Sequence, residues 1–254
     1  GLVPTVYALV VRFGIPESVR WLENHDRDAE AERSVRVFED AAGVAPVETR
    51  EWTPSPAVAG EGIWSAVYRR RTASLWVVWF CINLSYYGAF IWLPSLLVKS
   101  GFTLVKSFEY TLIITLAQVP GYAAAAYLIE RWGRRPTLAT FLGGSAVAAA
   151  LLGFATTPET IIAAGCALSF FNLGAWGALY AVGPELYPTG LRGTGTGAAA
   201  AFGRIASILA PLVVPVLLVA GGHPAVFGVF AAAFVVAAIG ALALPELRGR
   251  ALDN

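Results

Sequence analysis

The sequence predicts an all-α, polytopic membrane protein, and three observations carry that prediction. Six apolar segments, approximately 72–98, 107–129, 137–155, 160–182, 194–220 and 225–244, follow one another with only short connectors between them. At 1.5 Å per residue each is about as long as the roughly 30 Å hydrocarbon core is thick. Composition agrees: 57% of residues are hydrophobic and 14% charged, against about 25% charged in a globular domain, which excludes an ordinary soluble core. Finally, no run of alternating apolar and polar residues argues for a lipid-facing barrel. Backbone groups in lipid must be satisfied internally, so helices are the economical solution.

Taken in order, Gly1 to Val11 is mostly apolar but only about half the length of a span. In a chain without methionine it reads as the tail of a severed helix, which defines a first unit at 1–13. The stretch 14–71 is charged and polar. Glu17 to about Ala42, rich in Glu, Asp and Arg, predicts a helix with a solvated face, and Pro46, Pro54 and Pro56 predict an extended linker after it. The six spans fill 72–244, and 245–254 is a tail. Pro94, Pro120, Pro211 and Pro215 interrupt several spans, and Gly193, Gly197 and Gly203 with Ala198 to Ala201 give the fifth a small-residue face, as expected where helices pack closely around a cavity.

Orientation follows from the basic residues. Arg131, Arg134, Arg135, Arg192, Arg248 and Arg250 lie in alternate connectors and the tail, whereas the opposite connectors hold Lys99 and Lys106. The positive-inside rule puts the arginine side, the long loop and the C-terminus in the cytoplasm of a protein of the inner cell membrane. Two motifs stand on that side. In Glu130-Arg131-Trp132-Gly133-Arg134-Arg135-Pro136, Gly133 permits a tight turn, and Arg134 and Arg135 can pair with acids on neighbouring helix ends. In Pro184 to Gly195, Glu185 and Arg192 sit at adjacent helix ends, a pairable gate.

Arg204 is the only charge in the stretch Thr194 to Ala220. Ten residues past Thr194 it is roughly 15 Å into the helix, where an arginine costs about 2.5 to 3.5 kcal/mol on insertion scales. No Asp or Glu lies at matching depth in the six spans. A planar, permanent guanidinium binds carboxylate through two hydrogen bonds, which suits a monocarboxylate substrate; the competing readings are a structural ion pair and snorkelling. Asn83, Tyr86, Tyr87 and Phe90 recur at helical spacing on the first span, and Phe171, Asn172, Trp176 and Tyr180 on the fourth. Facing aromatic helices can sandwich a flat ring, worth about 0.5–1.5 kcal/mol per pair, so an aromatic acid such as nicotinate is expected, with ordinary packing as the alternative. Gln118, beside Pro120, adds a polar contact.

Other chemistries are not supported. His25 and His223 lie in loops without a matched nucleophile, and Gly193 to Gly197 has no preceding strand to make a dinucleotide fold. Cys81 and Cys166 lie in apolar stretches without metal-ligand spacing. No catalytic residue, metal, cofactor or nucleic-acid partner is expected.

Pro16-Glu17-Ser18-Val19-Arg20-Trp21-Leu22 resembles the PESPRWL signature of the sugar-porter-like and organic-ion-transporter-like branches of the major facilitator superfamily, with Val19 in place of the second proline. Glu130 to Arg135 resembles that superfamily's loop between its eighth and ninth helices, with Glu130 where Asp is common. Pro245-Glu246-Leu247-Arg248-Gly249-Arg250 resembles the PETKGR ending, with Leu-Arg for Thr-Lys. Within the superfamily, Leu84 to Gly88, Trp92-Leu93-Pro94, Leu116 to Tyr122, Ser169 to Gly177 and Ala201 to Ile205 resemble the bacterial niacin permease group, which is related to synaptic-vesicle-protein-like and organic anion and cation transporters.

The resemblance implies the end of helix six, the central cytoplasmic loop and helices seven to twelve of a twelve-helix fold, partnered by an N-terminal six-helix bundle. It also implies alternating access around a midplane site, a small organic anion as substrate, and proton coupling through an acid outside this segment. A sugar or organic-cation transporter of the same architecture is the nearest rival, and a non-transporting receptor or regulatory half-bundle the rival from another class.

Overall fold

Two units divide the chain, residues 1–55 and 56–254. The computed structural model describes Tyr7 and residues 17–23, 26–45, 62–99 and 101–247. Apart from Tyr7, the expected helix end at 1–13 lies outside the described residues, as do the Pro46–Pro56 linker and the end of the tail.

In the first unit, α1 (Val19–Glu23) packs against α2 (Asp28–Ala42), with Leu22 and Ala31 buried. Asp28 and Glu30 in the first turn of α2 favour the positive end of its dipole, and Gly43 at φ 65° ends it in the left-handed conformation that needs no Cβ. Arg27 pairs with Glu30 at 2.7 Å, and Arg36 pairs with Glu39 at 2.9 Å and with Glu32. These exposed pairs lace the solvated face of α2, but the helix expected over Glu17 to about Ala42 is two helices, with Asp26 in the left-handed region (φ 55°) between them.

The second unit consists of α3 (Arg69–Lys99), α4 (Leu104–Leu116), α5 (Gln118–Trp132), α6 (Arg134–Phe154), α7 (Pro158–Glu185) and α8 (Thr189–Leu242). No strand occurs among the described residues. Among the described residues five stretches are long and apolar enough to cross a membrane, and the last, Gly190–Leu242, has 53 residues. Straight, it would run about 80 Å, more than twice the hydrocarbon core. It does not run straight: Gly221 (φ −163°, ψ 21°) and Gly222 (φ 66°, ψ −156°) leave helical geometry, the latter in a region essentially closed to side-chain-bearing residues. That break turns α8 into two arms and brings the total to six apolar crossings, as the six segments predict.

The second crossing is not the continuous helix expected over 107–129; it divides at Ala117 into α4 and α5. Pro120 has no N–H to give to the Leu116 carbonyl. The hydroxyls of Ser107, Thr111 and Thr115 donate to carbonyls four residues back at 2.9, 2.7 and 2.7 Å, a pattern that bends helices. Thr115 and Pro120 act within a turn of Ala117, and the Ser107 and Thr111 bonds act on the turns before it.

Helices in lipid gain stability from close packing rather than from hiding apolar surface, and small residues mark the contacts. The backbone of Phe170 on α7 fills the space a Cβ would need at Gly121 on α5. Gly203 on α8 lies against Asn83 and the Trp79 carbonyl of α3, and Phe230 of the second arm covers Gly88 of α3. α3 is thereby held between both arms of α8. Phe141, Phe230 and Phe234 are fully buried, while Val105, Phe154 and Val219 stand on the outer surface.

Candidate functional site

Arg204 stands on the first arm of α8, exposed on the surface of the bundle. Its Nη1 donates to the Tyr87 hydroxyl at 2.7 Å, and its guanidinium carbon is 5.9 Å from the centre of the Tyr87 ring. Among the described residues no carboxylate lies within ion-pair distance of it. Its one hydrogen-bond partner is therefore neutral, and the rest of the guanidinium fork can accept an anion.

What holds this side chain in place is the turn beneath it. Asn83 Nδ2 donates to the Trp79 carbonyl at 2.7 Å, and Asn83 Oδ1 accepts from Ser207 Oγ at 2.9 Å. As α3 advances from Asn83 to Tyr87, α8 retreats from Ser207 to Arg204, which fixes the register of an antiparallel pair. Asn83, expected among the ligand contacts, is fully buried here, its N–H given to the Trp79 carbonyl of its own helix and its oxygen taken by Ser207 of α8.

An aromatic wall continues from Tyr87. Tyr86 meets Tyr87 edge-on with ring centres 5.2 Å apart, and meets Trp176 of α7 at 5.9 Å. Trp176 stacks on Tyr180 at 5.6 Å and meets Trp79 edge-on at 5.5 Å. The Gln118 side chain lies beside the Tyr86 phenol. Tyr122 of α5 packs against Gly177 of α7, next to Trp176. Arg204, Tyr86, Tyr87, Gln118 and Trp176 are thus brought together from four helices.

Two members of the wall, Trp79 and Tyr122, escape the sequence reading, although a signal for each exists. Trp79 is four residues before Asn83 and Tyr122 four after Gln118, the spacing that keeps side chains on one helical face. Phe171 is turned the other way. It packs against Phe141 and Phe170 at 5.9 and 5.2 Å and covers Gly144 of α6. Five residues separate it from Trp176, which at 3.6 residues per turn is roughly 140° around the helix. Asn172, one turn from Trp176, is fully buried, and neither amide atom has a partner; the same holds for the Ser169 hydroxyl. An amide buried in this way costs about 1–3 kcal/mol.

The arginine-rich end is organised differently. Gly133, at φ 100°, makes the turn between α5 and α6. The Glu246 carboxylate accepts from the backbone N–H groups of Arg134 and Arg135 at 3.1 and 2.9 Å, capping α6 where its dipole favours a negative charge. Arg134 Nε reaches both Glu185 oxygens at 3.0 and 3.1 Å, and Nη1 reaches Glu130 at 3.4 Å. Arg192, expected opposite Glu185, instead donates from Nε to the Pro184 carbonyl at 2.8 Å. Glu185 is the partner of Arg134.

Comparison with known proteins fits this arrangement. Residues 1–254 match the family described as "Sugar (and other) transporter". The chain is 45% identical over 259 residues to the "Niacin transporter NiaP" of Acinetobacter baylyi, covering 100% of this chain and 59% of that protein. It is 48% identical over 180 residues to the "Putative niacin/nicotinamide transporter NiaP" of Bacillus subtilis, covering 70% and 44%. A third relative is "Solute carrier family 22 member 15" of Xenopus tropicalis, 33% identical over 253 residues, covering 94% and 46%. The chain therefore spans about half the length of the curated relatives it matches. With its apolar helices, its arginine-rich turn motifs and a family match along its whole length, this chain belongs to the sugar (and other) transporter family of the major facilitator superfamily.

Proposed function

We propose that this chain forms the C-terminal half of a secondary transporter that moves a small aromatic carboxylate, nicotinate or a close analogue, by alternating access. The observation that carries the reading is Arg204, a guanidinium on an apolar helix whose one described partner is a neutral phenol. An anion is the complement of that charge, and the wall of Tyr86, Tyr87, Trp176 and Tyr180 offers ring faces and edges to a flat substrate. Two relatives that carry niacin in their names support the same choice. Gln118 contributes a polar contact beside Tyr86, and Asn172 a buried one.

The remaining parts of the reading follow from it. The long loop, the Arg134 cluster and the tail face the cytoplasm, as the distribution of basic residues dictates. Glu130, Gly133, Arg134, Arg135, Glu185 and Arg192 form a gate at that end, closed when Arg134 is paired with Glu185. An N-terminal bundle supplies the other wall of the site and the acid that couples transport to protons, by rocking of one half against the other.

Uptake of labelled nicotinate by cells expressing the full-length protein, with benzoate, nicotinamide and glucose as unlabelled competitors, tests this. Saturable uptake blocked by benzoate but not by nicotinamide or glucose is the expected result. Absence of uptake despite confirmed membrane insertion rejects the aromatic-acid assignment, and inhibition by glucose returns the site to a sugar.

A further inference from the structure

We propose that Asn172, backed by Ser169, is a second polar subsite that reads the ring nitrogen of a pyridine carboxylate and so separates such substrates from benzoate-like acids. This rests on the aromatic-acid reading above. Ser169, Asn172 and Trp176 are three and four residues apart and share one face of α7. At one end of that face Trp176 touches Trp79 and Tyr86 of α3. At the other end Leu168 lines an apolar crevice with Ala89, Phe90 and Leu93 of α3. Asn172 stands one turn from each, on the stretch of α7 between these two contacts with α3.

Unsatisfied buried polar atoms, most of them donors, gather on these residues. Both amide atoms of Asn172, the Ser169 hydroxyl and the indole N–H groups of Trp79 and Trp176 are buried without a partner. Deprotonated nicotinate presents only acceptors: two carboxylate oxygens at one side of the ring and a pyridine nitrogen at another. Arg204 answers the carboxylate, and the Asn172 amide N–H answers the nitrogen once the half-buried Tyr86 ring swings aside. A site built to hydrogen-bond a substrate atom rejects an analogue lacking that atom far more strongly than an apolar pocket does. Benzoate, with C–H in place of the nitrogen, is that analogue.

Calorimetric titration of the purified full-length protein with nicotinate and with benzoate tests the subsite. The wild type is expected to bind nicotinate about tenfold more tightly than benzoate, the size of one good hydrogen bond to a buried group. Asn172→Leu, close in volume and without polar atoms, should bring the two affinities within about threefold by weakening nicotinate alone. Asn172→Ala, which only removes atoms, is the second variant and is read in the same way.

A wild type that does not discriminate, a ratio unchanged in a membrane-inserted variant, or equal weakening of both acids overturns the subsite. The last of these results is what a purely structural amide would give. A wild type that binds neither acid is a different failure, because it removes the aromatic-acid reading on which the subsite rests.

Discussion

Arg204 and Arg134 are both guanidiniums in an apolar helical bundle, and they differ in what surrounds their charge. Arg134 has Glu185 at 3.0 Å, Glu130 at 3.4 Å and the Glu246 carboxylate on its own backbone N–H. Arg204 has a phenol. A cation closed in by carboxylates has little left with which to attract a substrate, and breaking one of its pairs should alter how helix ends hold together. A cation beside a neutral acceptor keeps its charge available, and removing it should alter what binds. The two regions are therefore separable by experiment: on the proposed reading, Arg204 sets affinity and the Arg134 cluster sets rate.

The largest effect belongs to Arg204. Arg204→Ala should lower uptake efficiency by about 100-fold or more, because the substrate carboxylate loses a charge-assisted, two-bond partner. Arg204→Lys keeps a charge but not the fork, and about a tenfold loss is expected. Titration of the purified variants should show the loss in affinity. If binding stays at the wild-type level while uptake falls, the contrast between the two arginines breaks down.

Glu185→Gln makes the opposite case. It leaves Arg134 with Glu130 as its side-chain partner and removes a link between α6 and α7, since both members of the pair are only about one-fifth exposed. The expected outcome is a fall of about tenfold in maximal uptake rate with the binding constant unchanged, because Arg134 keeps only the longer Glu130 pair at the proposed gate. A parallel loss of affinity would show that the arginine-rich end is not a gate.

How far the sequence carries this picture depends on which physical signal each feature leaves. Length and apolarity show the crossings, and even the sharp turn in α8 is legible as a Gly-Gly pair between two apolar runs. The division at Ala117 is harder to read, because Pro120 lies inside the run and the bending hydroxyls of Ser107, Thr111 and Thr115 resemble ordinary polar substitutions. For the site, a charge alone in an apolar run singles out Arg204 as a candidate. Helical period then tells which residues share a face, but not which neighbour that face meets. That is why Asn83 is spent on Ser207 and Trp79, why Phe171 turns to Phe141, and why Tyr122 joins the wall without being expected there. Glu185 illustrates the same limit, since its partner Arg134 is 51 residues away while the nearer Arg192 finds a carbonyl.

A smaller effect sharpens the account of the open site. Tyr87→Phe retains the ring beneath Arg204 but removes the acceptor at 2.7 Å. Loss of one neutral acceptor from a cation that can rotate toward water should weaken nicotinate binding by about three- to fivefold, near 1 kcal/mol. Tyr180→Phe, whose hydroxyl does not touch Arg204, should change binding less. Equal effects from the two substitutions would mean that the wall acts only as a surface, with no part in orienting the guanidinium.

The smallest expected effect lies at the closed end. Glu246→Gln keeps one oxygen for one of the Arg134 and Arg135 N–H groups, which two separate carboxylate oxygens now cap, and removes the charge that favours the N-terminus of α6, the charge alone being worth about 0.3–1 kcal/mol. A slightly lowered melting temperature in detergent should register it, and Glu246→Ala, which loses the cap as well, should fall further. Because the charge term is electrostatic and only partly buried, the gap between wild type and Glu246→Gln should narrow as salt is raised, whereas the gap to Glu246→Ala should persist. If both gaps close together, the carboxylate acts at long range and the cap contributes little. If neither closes, the two backbone hydrogen bonds carry the whole effect, and the closed end owes its order to geometry rather than to charge.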